Sequence, residues 1–211
     1  MSEPSHAPRT VSDVMTHTVV AVGRDAPFKE LVELIDQWKV SALPVLEGEG
    51  RVVGVVSEAD LLAKEEFRGL TGPMSELADL VKAGAVTAGE LMSSPAVTVH
   101  ADAPLAEAAR IMARRRVKRL PVVDAVGMLQ GVVSRSDLLK VFLRSDEELA
   151  DEIRRTVLAR VPTASAVTLG VTGGVATLSG TLRDRALVPV LAQAVRSIAG
   201  VVDVRFDLSH P

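Results

Sequence analysis

Apolar residues in this chain fall into short runs separated by Pro, Gly and Ser, and two sets of such runs share one grammar. In the first set, Val19-Val20-Ala21-Val22, Leu43-Pro44-Val45-Leu46 and Val52–Val56 read as buried strands. Between the first two runs, Leu31, Leu34 and Ile35 recur at helical spacing behind Pro27, a good first-turn residue. The second set repeats this with Ala96-Val97-Thr98-Val99, then Ala108, Ile111 and Met112 behind Pro104, then Leu120-Pro121-Val122-Val123 and Met128–Val133. Each set opens on a Thr-x-x-acid cap, Thr10 with Asp13 and Thr87 with Glu90, in which side-chain oxygens take the orphan N–H groups of a short helix. Each closes on a helix starting at Ser57 or Ser134. The predicted order is helix, strand, helix, strand, strand, helix, twice.

The two sets stand at a constant offset. Pro27 and Pro104, Pro44 and Pro121, Gly54 and Gly131, Ser57 and Ser134, and Asp60 and Asp137 are each 77 apart. Thr10–Leu62 aligns with Thr87–Leu139 without a gap at 20 identities in 53 positions, where chance gives about three to five. One copy has too short a sheet to bury much of a core, so the two are expected to pack as a pseudo-twofold pair and share one. Residues 1–9 read as a disordered lead-in, 10–66 as the first copy, 67–86 as a connector with a helical turn at Ser75–Lys82, and 87–143 as the second copy.

Residues 146–211 break the repeat. Leu149, Ile153, Val157 and Leu158 lie on one face of a predicted helix over Asp146–Arg160. Two β runs, Ala166–Val171 and Val175–Leu182, flank the Gly173-Gly174 turn. A second helical pattern, Arg185–Ala199, tolerates Pro189 near its start, and Gly200–Leu208 alternates as a final strand. The fold class is α+β throughout.

The strings Asp13-Val14-Met15-Thr16, Val40-Ser41-Ala42-Leu43-Pro44-Val45 and Gly54-Val55-Val56-Ser57-Glu58-Ala59-Asp60 resemble a CBS repeat. So do Glu90-Leu91-Met92-Ser93, Val117–Asp124 and Gly131–Asp137. The resemblance implies a tandem CBS pair, a Bateman module. The αββαβ order of the last segment, with Gly174–Gly180 and Gly200–Val204, resembles a BON domain.

The Gly-Val-Val-Ser-x-x-Asp unit carries the candidate chemistry. A helix start presents free N–H groups and a positive dipole end to an anion. The Asp, an acceptor when ionised, can take both hydroxyls of a ribose. The resemblance assigns those roles to Ser57, Asp60, Ser134 and Asp137. Ser-x-x-Asp ahead of Leu-Leu is equally a plain capping box, and both readings stay open. Ser41-Ala42-Leu43-Pro44 offers backbone groups that can read an adenine edge, with Leu43 and Val45 sandwiching the ring. In the second copy Lys118 and Arg119 precede Leu120-Pro121, and the resemblance implies that such cations approach phosphate. Thr16 and Thr18 lie where the family's adenine pocket opens; Ser93 and Pro95 take these places in the second copy. Arg114-Arg115-Arg116 reads as a solvated helix face, and Trp38 as a core or interface residue.

Composition removes several alternatives. Aromatic residues are 2% of the chain and net charge is −3, a poor basis for stacking on single strands or for attraction to DNA. There is no Cys, and His6, His17, His100 and His210 lack metal-ligand spacing. Neither a phosphate-binding Gly-rich loop nor a Gly-x-Ser-x-Gly elbow occurs, so a non-catalytic protein without a resident cofactor is expected. No apolar run approaches the roughly 18–20 residues that span a bilayer, and Met1–Pro8 lacks a signal pattern. The expectation is a cytoplasmic regulatory protein from a GC-rich bacterium. It would bind AMP, ADP or ATP, with S-adenosylmethionine as the alternative ligand, and form a homodimer through the repeats. The BON-like segment would engage a protein partner. Its seven Arg against eight Asp and Glu give little support to membrane attachment. The competing functions are a ligand-free structural adaptor and an envelope-associated protein.

Overall fold

The computed structural model describes residues 10–66, 85–161, 167–182, 184 and 186–209. The expected lead-in at 1–9 and the helical turn at Ser75–Lys82 lie outside the described residues. The chain divides into two compact units, one over Thr10–Arg135 and one running from Ser136 to Pro211.

In the first unit, a 3₁₀ turn at Val11–Asp13 leads to β1 (Val22–Gly23), α1 (Phe28–Trp38), β2 (Ala42–Glu47), β3 (Arg51–Ser57) and α2 (Glu58–Glu66). The second copy gives α3 (Ala88–Leu91), β4 (Val99–His100), α4 (Leu105–Arg115), β5 (Arg119–Val123) and β6 (Leu129–Ser134). Each copy forms a three-stranded sheet in chain order, its first pair parallel and its second antiparallel. Both opening caps form as capping boxes, the Asp13 carboxylate accepting the Thr10 N–H at 2.8 Å and Glu90 that of Thr87 at 3.1 Å. Helices α1 and α4 follow Pro27 and Pro104 and end on left-handed residues, Lys39 at φ 51° and Arg116 at φ 56°. Glycine usually supplies that conformation; here a cation holds it in both copies. Trp38, expected in a core or interface, is 54% exposed at the end of α1.

The first strand of each copy is shorter than its apolar run. Only Val22–Gly23 and Val99–His100 pair within their own sheets. The residues upstream are drawn to the other copy. Thr16 exchanges both backbone hydrogen bonds with Val132 (2.9 and 3.0 Å), and Ser93 does so with Val55 (2.9 and 3.2 Å). Val11 and Ser12 donate to the carbonyls of Ala103 and Ala101, while Ala88 and Gly89 donate to those of Ala26 and Arg24. The hairpin turns also meet, Val52 donating to Gly127 and Leu129 to Gly50, both at 3.0 Å. Every bond has its counterpart 77 residues on, which is the signature of a pseudo-twofold axis.

The exchange completes the core. Val22, Leu31, Leu43, Val45, Val56 and Leu61 of the first copy pack with Ala85, Ala88 and Leu91 at the entrance of the second. Leu91 is fully buried there, which stabilises the pair by about 1.5–3 kcal/mol. Close approach of the exchanged segments requires Gly54 and Gly131. A Cβ on Gly54 would collide with the Met92 side chain, and one on Gly131 would lie 2.8 Å from the Thr16 carbonyl oxygen.

The second unit opens within α5 (Arg135–Leu139), passes a 3₁₀ turn at Lys140–Leu143 and continues through α6 (Asp146–Thr156), β7 (Val167–Thr172), β8 (Val175–Thr181), α7 (Leu187–Arg196) and β9 (Asp203–Ser209). Helix α6 stops at Thr156, and Leu158–Arg160 tightens into 3₁₀ geometry instead of extending it. Strand β7 pairs antiparallel with β8, and β9 pairs parallel with β8. Leu149, Ile153, Leu178, Leu191 and Val195 form the heart of the core. The Asp146 carboxylate accepts the N–H groups of Gly173 and Gly174, both at 2.8 Å, fixing the β7–β8 turn to the start of α6. Arg144 donates to Glu152 at 2.7 Å and to the Ala199 carbonyl at 2.6 Å, in a largely buried ion pair. No helix among the described residues is long and apolar enough to cross a membrane.

Because the Thr16 carbonyl is backbone and cannot swing aside, Gly131→Ala is expected to cost about 1–3 kcal/mol of unfolding free energy. Gly23→Ala meets nothing within 4 Å and serves as the control in the same urea titration. Equal midpoints for the two variants would contradict the close-approach role.

Candidate functional site

The exchange brings residues from both copies around one cavity of about 270 Å³. From the first copy come Ser41, Val55 and the turn from β3 into α2, Ser57–Asp60. From the second come Ser93, Pro95-Ala96-Val97 and the stretch Arg116-Val117-Lys118-Arg119 that leads into β5.

Three kinds of surface meet in it. At the helix start, the Asp60 carboxylate accepts the Ser57 N–H at 2.9 Å and the Ser57 hydroxyl at 2.6 Å. This is the reciprocal half of a capping box, so Asp60 is oriented before any ligand arrives. The Glu58 N–H donates to the Ser41 carbonyl at 3.1 Å, which removes one of the N–H groups expected to face an anion. The second copy contributes three cations, Arg116, Lys118 and Arg119. The Arg119 guanidinium crosses between the copies to donate to the Ser41 hydroxyl at 2.6 Å. Lys118 is exposed. The left-handed turn at Arg116 ends α4 and leads into this basic stretch. Val55, Pro95, Ala96, Val97 and Val117 supply apolar wall. A lining of this mixed chemistry matches a molecule that carries hydroxyls, an anion and a flat apolar body.

Of the residues expected from sequence, Ser41, Ser57, Asp60, Lys118 and Arg119 converge here. Ala42, Leu43, Pro44, Leu120 and Pro121 do not line this cavity; all are buried, Leu43 and Leu120 completely. The Leu-Pro edge therefore packs the core, and the expected sandwiching of a ring by Leu43 and Val45 is replaced by walls from Ala96, Val97 and Val55. Thr16 and Thr18 are exposed and lie outside this cavity. Their repeat counterparts Ser93 and Pro95 line it instead, because the opening segment of one copy serves the β3 edge of the other. Ser134 ends β6, and Asp137, in the second unit, is buried and accepts from Lys140 Nζ at 2.7 Å. Glu58, Ala59 and Val117 are lining residues that sequence reasoning missed; their adjacency to the Ser-x-x-Asp and Lys-Arg signals was the available clue, and Arg116, read from sequence as part of a solvated helix face, lines the cavity as well. No group of three or more His, Cys, Asp or Glu suited to a metal ion occurs among the described residues.

The CBS domain model matches residues 11–66 and 88–144, and the BON domain model matches residues 145–209. The chain belongs to the CBS domain family and carries a C-terminal BON domain. Its CBS pair is similar to the chloroplastic CBS domain-containing protein CBSX2 of Arabidopsis thaliana, at 31% identity over 156 residues, which is 66% of each chain. An uncharacterized protein of Methanocaldococcus jannaschii is 29% identical over 153 residues, 63% of this chain and 90% of its own. The crystal structure of CBSX2 in complex with AMP superposes with a TM-score of 0.58 at 31% identity, covering 64% of this chain and 97% of that one. The two domains thus account for the repeat and for the segment that breaks it.

The capping geometry carries a stability consequence independent of ligand. Asp60→Ala is expected to lower the unfolding free energy by about 0.5–2 kcal/mol, read by urea denaturation without nucleotide. An unchanged midpoint would show that the two hydrogen bonds to Ser57 do not hold the start of α2.

Proposed function

We propose that the CBS pair is a regulatory, non-catalytic module that binds an adenosine-containing ligand in the cavity shared by its two copies. The meeting of carboxylate, apolar wall and three cations in one lining carries this reading. CBSX2, similar over the same region, has been crystallised with AMP. In this assignment Asp60 takes the ribose hydroxyls, and Val55, Ala96 and Val97 flank the base. Lys118, Arg119 and Arg116 neutralise the phosphate. AMP, ADP and ATP are the favoured ligands, and S-adenosylmethionine is the cationic alternative, for which the basic end is unsuited. Thr16, Thr18, Ala42 and Ser134 occupy the repeat-related positions of Ser93, Pro95, Arg119 and Ser57. Two of these replace a ring and a cation, so the two halves of the pair are chemically unequal.

A ligand regulates only through its different affinity for two states, and one that touches both copies gains or loses contacts whenever their packing changes. The BON domain is assigned the output role of binding a protein partner, and the cytoplasm, where the adenine nucleotide pool is, is the assigned location. Exposed Trp38 (54%) and Leu62 (64%) on α1 and α2 favour a second copy of the chain as the cover for these helices. Trp38→Glu with Leu62→Glu should then shift the mass measured by light scattering from dimer to monomer; an unaltered mass would exclude these helices as the contact.

Calorimetry on the full chain with AMP, ADP, ATP, adenosine and S-adenosylmethionine tests the ligand assignment. Lys118→Ala, a change at an exposed side chain, is expected to weaken AMP about tenfold and leave adenosine unaffected. Absence of heat for every nucleotide at millimolar concentration would end this reading in favour of a structural adaptor.

A further inference from the structure

Strand β3 borders a second cavity. Its C-terminal half, Val55 and Ser57, faces the nucleotide cavity, whereas its N-terminal half, Arg51–Val53, lines a separate space of about 410 Å³ near the hairpin turns. Arg24, Ser94, Thr98, Val123 and Gly127 are among the other lining residues. We infer that this second cavity binds a small organic anion carrying phosphate or carboxylate, through the guanidinium groups of Arg51 and Arg24 and the hydroxyl of Thr98.

Three observations carry the inference. The first is the one-sided charge of the lining, which contains two Arg and no Asp or Glu. Arg51 makes no side-chain hydrogen bond or ion pair among the described residues. Arg24 holds Glu47 at 3.1 Å with both side chains about half exposed, a surface pair of low strength that an entering anion can displace. The second is the internal control that the duplication supplies. The repeat counterparts of Arg24 and Arg51 are Ala101 and Met128. Arg51 and Met128 face each other across the pseudo-twofold axis in equivalent backbone positions, so the fold accepts a neutral residue at that place and the cation answers to something else. The third is the mixed character of the walls. Val52, Val53, Met92 and Val123 give an apolar floor beneath the charges, which suits an organic anion better than a fully hydrated inorganic one.

The two cavities share Pro95 and Ala96. The segment that walls the nucleotide cavity is thus also a wall of the anion cavity. A ligand in either cavity that favours a different setting of this segment couples the two, and such coupling is reciprocal in affinity. The anion cavity does not depend on the nucleotide assignment, since none of its charged residues lines the other space.

The test is calorimetric titration of the full chain with phenyl phosphate and, separately, citrate, in a buffer free of other multivalent anions. Arg51→Met and Arg24→Ala copy what the second repeat already carries at these positions, so folding is preserved, and a urea midpoint verifies it. Saturable binding by the wild type, weakened about tenfold or more in each variant and retained in Lys118→Ala, is the expected result. The stronger of the two probes then identifies phosphate or carboxylate as the recognised group. Absence of binding of both probes at 10-fold above about millimolar levels, equal binding by wild type and the Arg variants, or loss confined to Lys118→Ala would each overturn the inference.

Discussion

Everything in the CBS pair rests on a reciprocal loan of backbone. Each copy sends its opening segment to the other, where Thr16 pairs with Val132 and Ser93 with Val55. Backbone hydrogen bonds left open at a sheet edge are expensive to bury, and the exchange satisfies them in both copies at once. It also delivers Ala88 and Leu91 into the core of the first copy. A single copy would keep both an open edge and an open core, which is why the duplication folds as one body. The glycines at 54 and 131 are the steric condition of this arrangement, since a side chain there would hold the incoming segment away.

The cavities are consequences of the exchange. A segment laid along β3 cannot fill the space at both ends of the strand, and one hollow remains at the Ser57 end and one at the Arg51 end. Their chemistry then depends on what the duplicated copies have changed since they were identical. At the first, Lys118 and Arg119 face the smaller Ser41. At the second, Arg24 and Arg51 stand where the other copy keeps Ala101 and Met128. Symmetry of backbone with asymmetry of charge gives one scaffold two differently charged hollows. Asp60 serves both the helix start and the cavity lining. Its hydrogen bonds to Ser57 fix the helix start, and the same bonds hold the carboxylate at the cavity wall. Capping and a place in the cavity lining are therefore compatible for one side chain, whose rotamer the two bonds fix.

Much of this was legible in the residues. Caps, Pro-initiated helices and alternating strands are local signals, and Thr10–Asp13, Pro27 and Ser57–Asp60 each did what their local chemistry dictates. The repeat offset and the three motifs named the family that the domain matches then showed. Less legible were the strand lengths and the walls of the cavity. Val19–Val22 is apolar enough for a full strand, yet of these only Val22 pairs within the sheet, and just upstream of the run Thr16 is committed to Val132, distant in sequence. Leu43 and Leu120 carry the right size for a ring sandwich, but β2 and β5 sit centrally in their sheets and turn those side chains into the core.

The order of residues was enough for the duplication, the helix caps, the αββαβ succession of the last segment and the residue types that line the cavities, all of which depend on neighbours a few positions apart or on comparison of one copy with the other. The folded arrangement was needed to place Ser93, Pro95 and Arg116 in one lining with Asp60, to leave Thr16 and Thr18 outside it, and to bring Arg24 and Arg51 to one hollow. The reason is that an exchanged segment meets its partner across a long separation in the chain. Two copies built on one motif set offer the same local pattern whether each segment folds back on its own sheet or crosses to the other, and the choice is made by the total of buried area and satisfied backbone, which no local pattern records.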